Sequence, residues 1–393
     1  MFAVTALGWC AACSAPPPAP QPPPAAGARA RNVILLLADA AGIPTLNAAS
    51  LLGYGKPMAL NIQHWPNLGL SDTSTAVDWV SDSAAGMTAI MTGTKTLNGV
   101  LSQGPDAEPG VKNGTPLMTL LEHAEDHGLA TGVVTSQSIA DATPAACYAH
   151  ASEREAAPAA LLAQAFAPRF GDGVDVLIGS GKGEVDANAR ETGVDPAAIA
   201  RAHGRQMYAA LRAVPSSDAR PVVMIDGDLD VPKAARLAIR TLARSPKGYF
   251  LMIEWDAHTI DVERGLRNVV GFDKLAAEIA ASVNLQDTLI VFVADHSFDL
   301  RLVGGARGTD LLSGLKALHR SADDKTPLVL PALEVSERHT GEEVLVAAVG
   351  AGADQVRGYF PNTYLFHVMM RAYGWDDASA ARLDAPGPAG QRH

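Results

Sequence analysis

The sequence predicts an α/β fold, a three-layer sandwich with a largely parallel central sheet and helices on both faces. Three observations carry that expectation: short continuous apolar runs recur along the chain, helical periodicities fill most of the gaps between them, and three of the runs end in an acidic residue. Runs that are apolar throughout, rather than alternating, mark strands buried on both faces, as in a parallel sheet between two helical layers. Strand alternating with helix then selects the doubly wound arrangement.

The first strand is read at 32–38 (NVILLLA), where Val, Ile and Leu suit burial on both faces. Further strands are expected at 132–135, 174–178, 222–225, 249–253, 288–294 and 344–349. Helices are expected at 116–127, 158–165, 195–214, 231–243, 269–283 and 363–373, and another opens at Ser83 in SAAGMTAIMTG. Neither an internal repeat nor a second linker breaks the pattern, so residues 31–375 read as one catalytic domain of a size large α/β enzymes reach.

The ends read differently. Residues 1–12 are apolar and short, and 14–30 are too rich in Pro and Ala to pack a core, so 1–30 are expected to be a signal-like segment and tether. Ala11-Ala12-Cys13 resembles the end of a bacterial lipoprotein signal. A lipid anchor at Cys13 or a cleaved leader would each imply export, to the periplasm or to a membrane surface. Residues 376–393 read as a flexible tail. A net charge of −11 argues against a nucleic-acid partner, which would call for a basic patch. Cys147 is the only cysteine in the body of the chain, so no intramolecular disulfide is expected in the mature fold.

In doubly wound sheets, chemistry gathers beyond the carboxyl ends of the strands. Asp39 follows the first strand, Glu254 follows 249–253, and Asp295 with His296 follows 288–294. Any one carboxylate there could cap a helix. Three converging with a histidine favour a metal site, because an unpaired buried charge is costly and a cation removes the cost.

Five motifs, in order, resemble those of the alkaline phosphatases: LLLADAAG at 35–42, DSAAGMTA at 82–89, DATPAA at 141–146, ADH at 294–296 and RHTG at 338–341. The resemblance spans residues 31–372. It implies a metal-dependent phosphomonoesterase acting on small-molecule phosphate monoesters through a phosphoserine at Ser83, with two zinc ions and one magnesium. Asp39 would bridge one zinc and the magnesium, Asp295 and His296 would complete the zinc site that activates Ser83, and His339 would bind the second zinc. Thr143 and Glu254 match the magnesium ligands, and Asp141 matches the carboxylate that holds that ion through water. Arg154, thirteen residues after Asp141, matches the arginine that grips two phosphate oxygens. A homodimer also fits the resemblance.

One segment departs from the family's spacing. Glu254-Trp255-Asp256-Ala257-His258-Thr259-Ile260-Asp261 is shorter than expected between the magnesium glutamate and the second zinc's ligands. Asp256 and His258 are the expected ligands, with Asp261 the alternative to Asp256. Two other readings compete: a phosphodiesterase of the same superfamily, which would lack the magnesium ligands, and a non-catalytic exported phosphate- or metal-binding protein, which would need no nucleophile. The Gly-rich run at 174–183 lacks the Gly-Lys-Ser/Thr ending of a phosphate loop and reads as structural. Substrate-facing loops are expected within 53–80 and 185–217.

Overall fold

A computed structural model describes residues 21–22, 24–25, 27–318 and 326–375. Cys13 and the tail expected at 376–393 lie outside the described residues. The strands are β1 Asn32–Asp39, β2 Asn67–Asp72, β3 Ala130–Ser138, β4 Val176–Ser180, β5 Gln206–Tyr208, β6 Pro221–Met224, β7 Tyr249–Asp256, β8 Thr288–Val293, β9 Ser297–Leu302, β10 Leu328–Val329, β11 Leu333–Thr340, β12 Val344–Gly350 and β13 Gly358–Pro361. The α-helices are α1 Ile43–Tyr54, α2 Ser83–Thr92, α3 Leu120–Asp126, α4 Ala142–Ala145, α5 Pro158–Gln164, α6 Lys182–Thr192, α7 Pro196–Ala202, α8 Val231–Leu242, α9 Val262–Ser282 and α10 Tyr364–Tyr373.

Ten strands form one sheet in the order β13-β2-β12-β8-β1-β7-β3-β4-β6-β5. The sheet is parallel except at β12, which runs against both of its neighbours. Residues Val33 to Ala38 of β1 are fully buried, as their unbroken apolar character requires. One helical layer contains α1 packed on α9, and the other contains α2, α3 and α10. The register places Asp39 beside Asp256 and Leu37 beside both Glu254 and Val293. The carboxyl ends of β1, β7 and β8 therefore coincide, and their acidic residues meet. A small antiparallel sheet, β10-β11-β9, carries His339 opposite Phe298.

Two expected helices are corrected. Residues 195–214 are not one helix: α7 ends at Ala202, Gly204 takes a left-handed turn at φ 73°, and β5 then pairs with β6. Sheet pairing of Met207 and Tyr208 outweighs the helical periodicity there. The helix expected at 116–127 starts only at Leu120, where Thr119 and Glu122 form a capping box, while Pro116 bridges to Gln103. Strands β2, β9, β10, β11 and β13 carry too few consecutive apolar residues to be read without their partners. The Gly-rich run enters α6 through Gly181 at φ 87°, and its Lys182 pairs with Asp186 on the same helix, as a structural reading expects. Among the described residues, no helix is long and apolar enough to cross a membrane.

Candidate active site

Asp39 ends β1, and the chain turns at once through Ala40, held at φ 68°. The Ala40 N–H donates to Asp295 Oδ1 at 3.2 Å, tying the end of β1 to the turn after β8. His296 Nδ1 lies 3.0 Å from the Ser297 carbonyl, an acceptor, so Nδ1 carries the proton and Nε2 keeps its lone pair. That Nε2 lies 3.5 Å from Asp39 Oδ1, 3.5 Å from Asp295 Oδ2 and 3.2 Å from Ser83 Oγ. One strand end, one turn and one helix start thus converge on a single imidazole nitrogen.

Ser83 is the first residue of α2, so the helix's free N–H groups and positive dipole end face the space beside its hydroxyl. The capping role falls to Asp82, whose Oδ1 accepts from Ala85 N at 3.0 Å and whose Oδ2 accepts from Gly99 N at 2.9 Å. Asn98 Oδ1 in turn accepts from Asp82 N at 2.8 Å. One turn into α2, Gly86 packs so closely that a Cβ there would sit 2.7 Å from the Asp295 carbonyl oxygen. The absence of a side chain is what lets the serine's helix lie against the Asp295-His296 turn.

Asp256 ends β7, and its Oδ1 lies 2.9 Å from His258 Nδ1. The His258 ring stands 5.6 Å from the His296 ring and 6.0 Å from the His339 ring, and His296 and His339 are 4.1 Å apart. Ligand-type atoms fall within 4.8 Å of one another in three groups: Asp39-Asp295-His296, Asp39-Asp256-His258 and His258-His296-His339. The first is the trio expected around Ser83. His258 links the other two, so the shortened segment still delivers a carboxylate and an imidazole to the cluster. Asp261, the alternative to Asp256, lines the same cavity but caps α9 by accepting from Arg264 N at 3.0 Å.

Glu254 and Thr143 lie deeper. Thr135 Oγ1 donates to Glu254 Oε2, while Glu254 Oε1 and Thr143 Oγ1 have no hydrogen-bond partner. Asp39 Oδ1 and Asp295 Oδ2 are orphaned as well, and among the described residues every buried carboxylate oxygen in that condition belongs to this site. Buried anions without partners are expensive, so the donor set fits cations. Imidazole nitrogens with carboxylates suit zinc, and the all-oxygen set of Glu254, Thr143 and Asp39 suits magnesium. Asp141 begins α4 but makes no side-chain capping bond. Its Oδ1 instead accepts from Arg154 at 3.3 Å.

The electrostatics agree. Burial, reinforced by Asp295, Asp256 and Asp141, holds the Asp39 carboxyl well above the usual range. Burial and Asp39 do the same to Glu254. Burial also pushes the imidazole of His296 down, and that of His339 down to about 4 with help from His296 and His258. Neutral imidazoles are the form that ligates metal. A cavity of about 420 Å³ opens over these groups, lined by Ser83, Asp141, Arg154, Asp256, His258 and His339 among others. Arg154 is held between Asp82 and Asp141, each at 3.3 Å.

The loops expected to face substrate do not line this cavity; Gln137, Ile260 and Arg264 take that place. Sequence reasoning left Asp82 and Thr135 without roles. Asp82 stood inside a quoted motif, and its position before a helix was the available signal; nothing local in the sequence singles out Thr135.

Orphaned buried carboxylate oxygens around a serine at a helix N-terminus, at the carboxyl edge of a doubly wound sheet, define a metal-dependent α/β hydrolase. Comparison with known proteins narrows that class: the alkaline phosphatase family model matches residues 30–213 and 230–334, and the chain belongs to that family. The chain is 30% identical over 420 residues to streptomycin-6-phosphate phosphatase of Streptomyces griseus, covering 88% of this chain and 91% of that protein. It is 24% identical over 438 residues to the tissue-nonspecific alkaline phosphatase of Rattus norvegicus, covering 87% and 83%. The alkaline phosphatase of the Antarctic bacterium TAB5 superposes with a TM-score of 0.71 at 23% identity, covering 89% of this chain and 99% of that one. The Thermus thermophilus alkaline phosphatase gives 0.73 at 22% identity, covering 90% and 93%. These two structures share the fold. The chain is therefore a phosphatase of a metal-dependent family, and the binding-only reading is set aside.

Proposed function

We propose that the chain hydrolyses phosphate monoesters through a phosphoserine at Ser83, with two zinc ions and one magnesium as its cofactors. The observation that carries the monoesterase reading is the pair of buried orphaned oxygens, Glu254 Oε1 and Thr143 Oγ1, with Glu254 near enough to Asp39 to feel its charge, donors for a third ion that a diesterase would be expected to lack. Asp39, Asp295 and His296 would hold one zinc, Asp256, His258 and His339 the second, and Asp39, Glu254 and Thr143 the magnesium, with Asp141 reaching it through water. Bound there, the ions supply Lewis-acid stabilisation of developing oxyanions and lower the pKa of coordinated hydroxyl and water.

The chain's own residues do the rest. Arg154 presents a planar fork to two non-bridging phosphate oxygens, exchanging its contacts with Asp82 and Asp141 for the substrate's. The start of α2 adds its dipole on the same side. Ser83 Oγ attacks phosphorus, the P–O bond to the alcohol breaks in line, and the alcohol leaves with a proton. Water then attacks the phosphoserine from the side the alcohol left, releasing orthophosphate and restoring Ser83, so the two inversions give net retention.

The name of the Streptomyces griseus relative supports a small phosphorylated molecule as substrate. Composition supports export, with either a lipidated Cys13 or a cleaved leader, and a homodimer remains part of the reading. Loss of labelled lipid from a Cys13→Ser chain would support the anchor; unchanged labelling would remove it. For the activity, turnover of p-nitrophenyl phosphate and bis-p-nitrophenyl phosphate is measured with chelator and with added Zn²⁺ and Mg²⁺. Chelator-sensitive turnover favouring the monoester is expected. A diester preference would move the assignment to a phosphodiesterase, and turnover indifferent to chelator would overturn the metal site.

A further inference from the structure

A second cavity, of about 380 Å³, lies between α8 and the segment that precedes β6, and it shares no lining residue with the catalytic one. Its walls carry five cations: Arg212, Lys233, Arg236, Arg240 and Arg244. In a chain of net charge −11, such a concentration of one sign calls for a counter-charge. Only two of the five have acidic partners among the described residues. Lys233 pairs with Asp230 at 2.6 Å, and Arg236 with Glu278 at 2.7 Å. Arg244 is spent on the carbonyls of Ser216 and Asp218, bonds that shape the wall without neutralising it. Arg212 and Arg240 are exposed and form no ion pair among the described residues.

The cations are ordered by the helix. Positions 233, 236 and 240 fall on one face of α8, since residues three and four apart are neighbours there. From 233 to 240 the rise is about 10 Å at 1.5 Å per residue, roughly two turns. Orthophosphate is smaller than one turn, so a single anionic centre would leave most of the row unengaged. Leu211, Val214 and Leu237 line the same cavity and offer contact to an uncharged portion. The volume falls within the range of small-ligand sites, about 300 to 1,000 Å³. Nucleic acid fits poorly, because Asp218, Asp230 and Glu278 adjoin the groove's lining cations and would repel a long phosphate backbone.

From this we infer that the groove between α8 and residues 211–216 is a binding site for a small organic anion carrying two or more phosphate groups, separate from the catalytic cavity. Arginine forks engage the phosphate oxygens, Arg212 and Arg240 foremost, and the leucine and valine side chains cover the organic part.

The test is calorimetric titration of the full chain with β,γ-methylene-ATP, whose terminal phosphonate is not an ester and resists hydrolysis. Calorimetry reads every binding event, whereas competition against p-nitrophenyl phosphate turnover reads the catalytic cavity alone. The native protein should show a binding event that competition does not account for, weakened by added salt. An R212E/R240E chain should lose that event, with affinity down at least tenfold, while turnover and the competition constant stay unchanged. Orthophosphate should bind the groove at least tenfold more weakly than the triphosphate analogue. If the native protein shows only the event that competition explains, or the variant binds like the native chain, the site does not exist. Should the charge reversals impair folding, R212Q/R240Q supplies the same comparison.

Discussion

Gly86 offers a sharp test of how the serine is positioned. In Gly86→Ala the new Cβ would stand 2.7 Å from the Asp295 carbonyl oxygen and 3.1 Å from Asp295 Cβ, whereas ordinary contacts begin at 3.4 Å. Relieving the first contact takes about 0.7 Å of separation between α2 and the turn that carries His296. Removing a helical glycine favours folding by about 1 kcal/mol, while overpacking a tight contact costs about 1 to 3 kcal/mol. Stability should therefore change by less than about 2 kcal/mol. Catalysis should suffer more, because a misplacement near 1 Å can cost about a hundredfold in rate. Ser83 Oγ now lies 3.2 Å from His296 Nε2, and the shift would open that distance. Steady-state turnover of p-nitrophenyl phosphate, measured beside urea unfolding, should show a loss of about 10- to 100-fold in kcat in a protein that remains folded. Turnover within twofold of the native enzyme, at unchanged stability, would refute the argument that this contact positions the serine.

Asp82→Ala removes the cap of α2 and one holder of Arg154, so stability should fall by about 1 kcal/mol and KM should rise; Asp82→Asn should keep the stability but not the KM, as urea midpoints and kinetics would report. Metal removal should make stability sensitive to pH. Because Asp39 and Glu254 have folded pKa values raised above those of the unfolded chain, the chelated protein should lose stability as pH rises from the ordinary carboxyl range, and restoring the ions should flatten that slope. Away from the site, burial pushes the Glu125 carboxyl up to about 8 from 4.5. The folded state then binds more protons than the unfolded one between those values, so stability falls with rising pH across that window, by at most about 5 kcal/mol at about 1.4 kcal/mol per unit. Glu125→Gln should thus leave the urea midpoint unchanged near pH 4 and raise it at pH 9; an equal effect at both would contradict a buried titrating carboxyl.

Much of the scaffold was legible in the sequence because strands buried on both faces announce themselves. NVILLLA at 32–38 needed no partner to be read, and the same holds for 249–253 and 288–294. Edge and satellite strands were not legible. β5 owes its existence to pairing with β6, and β11 alternates with charge, so neither carries a local signature strong enough to outweigh helical periodicity or loop composition.

The candidate site divides along the same line. Which residue types stand at the strand ends is a property of the sequence alone: Asp39, Glu254, Asp295 and His296 each follow a buried run, and Ser83 opens a helix. Their convergence depends on strand order, since β7 and β8 flank β1 although more than 200 residues separate them from it in the chain. Only the folded chain puts Asp256 at the end of β7 beside Asp39 and Asp261 at the cap of α9. Only the folded chain gives Thr135 its place on Glu254 and Asp82 its place on Arg154. The physical reason is range. Strand and helix preferences act over a few residues, whereas charge, desolvation and hydrogen bonding at the site join side chains that the sheet, not the sequence, makes neighbours.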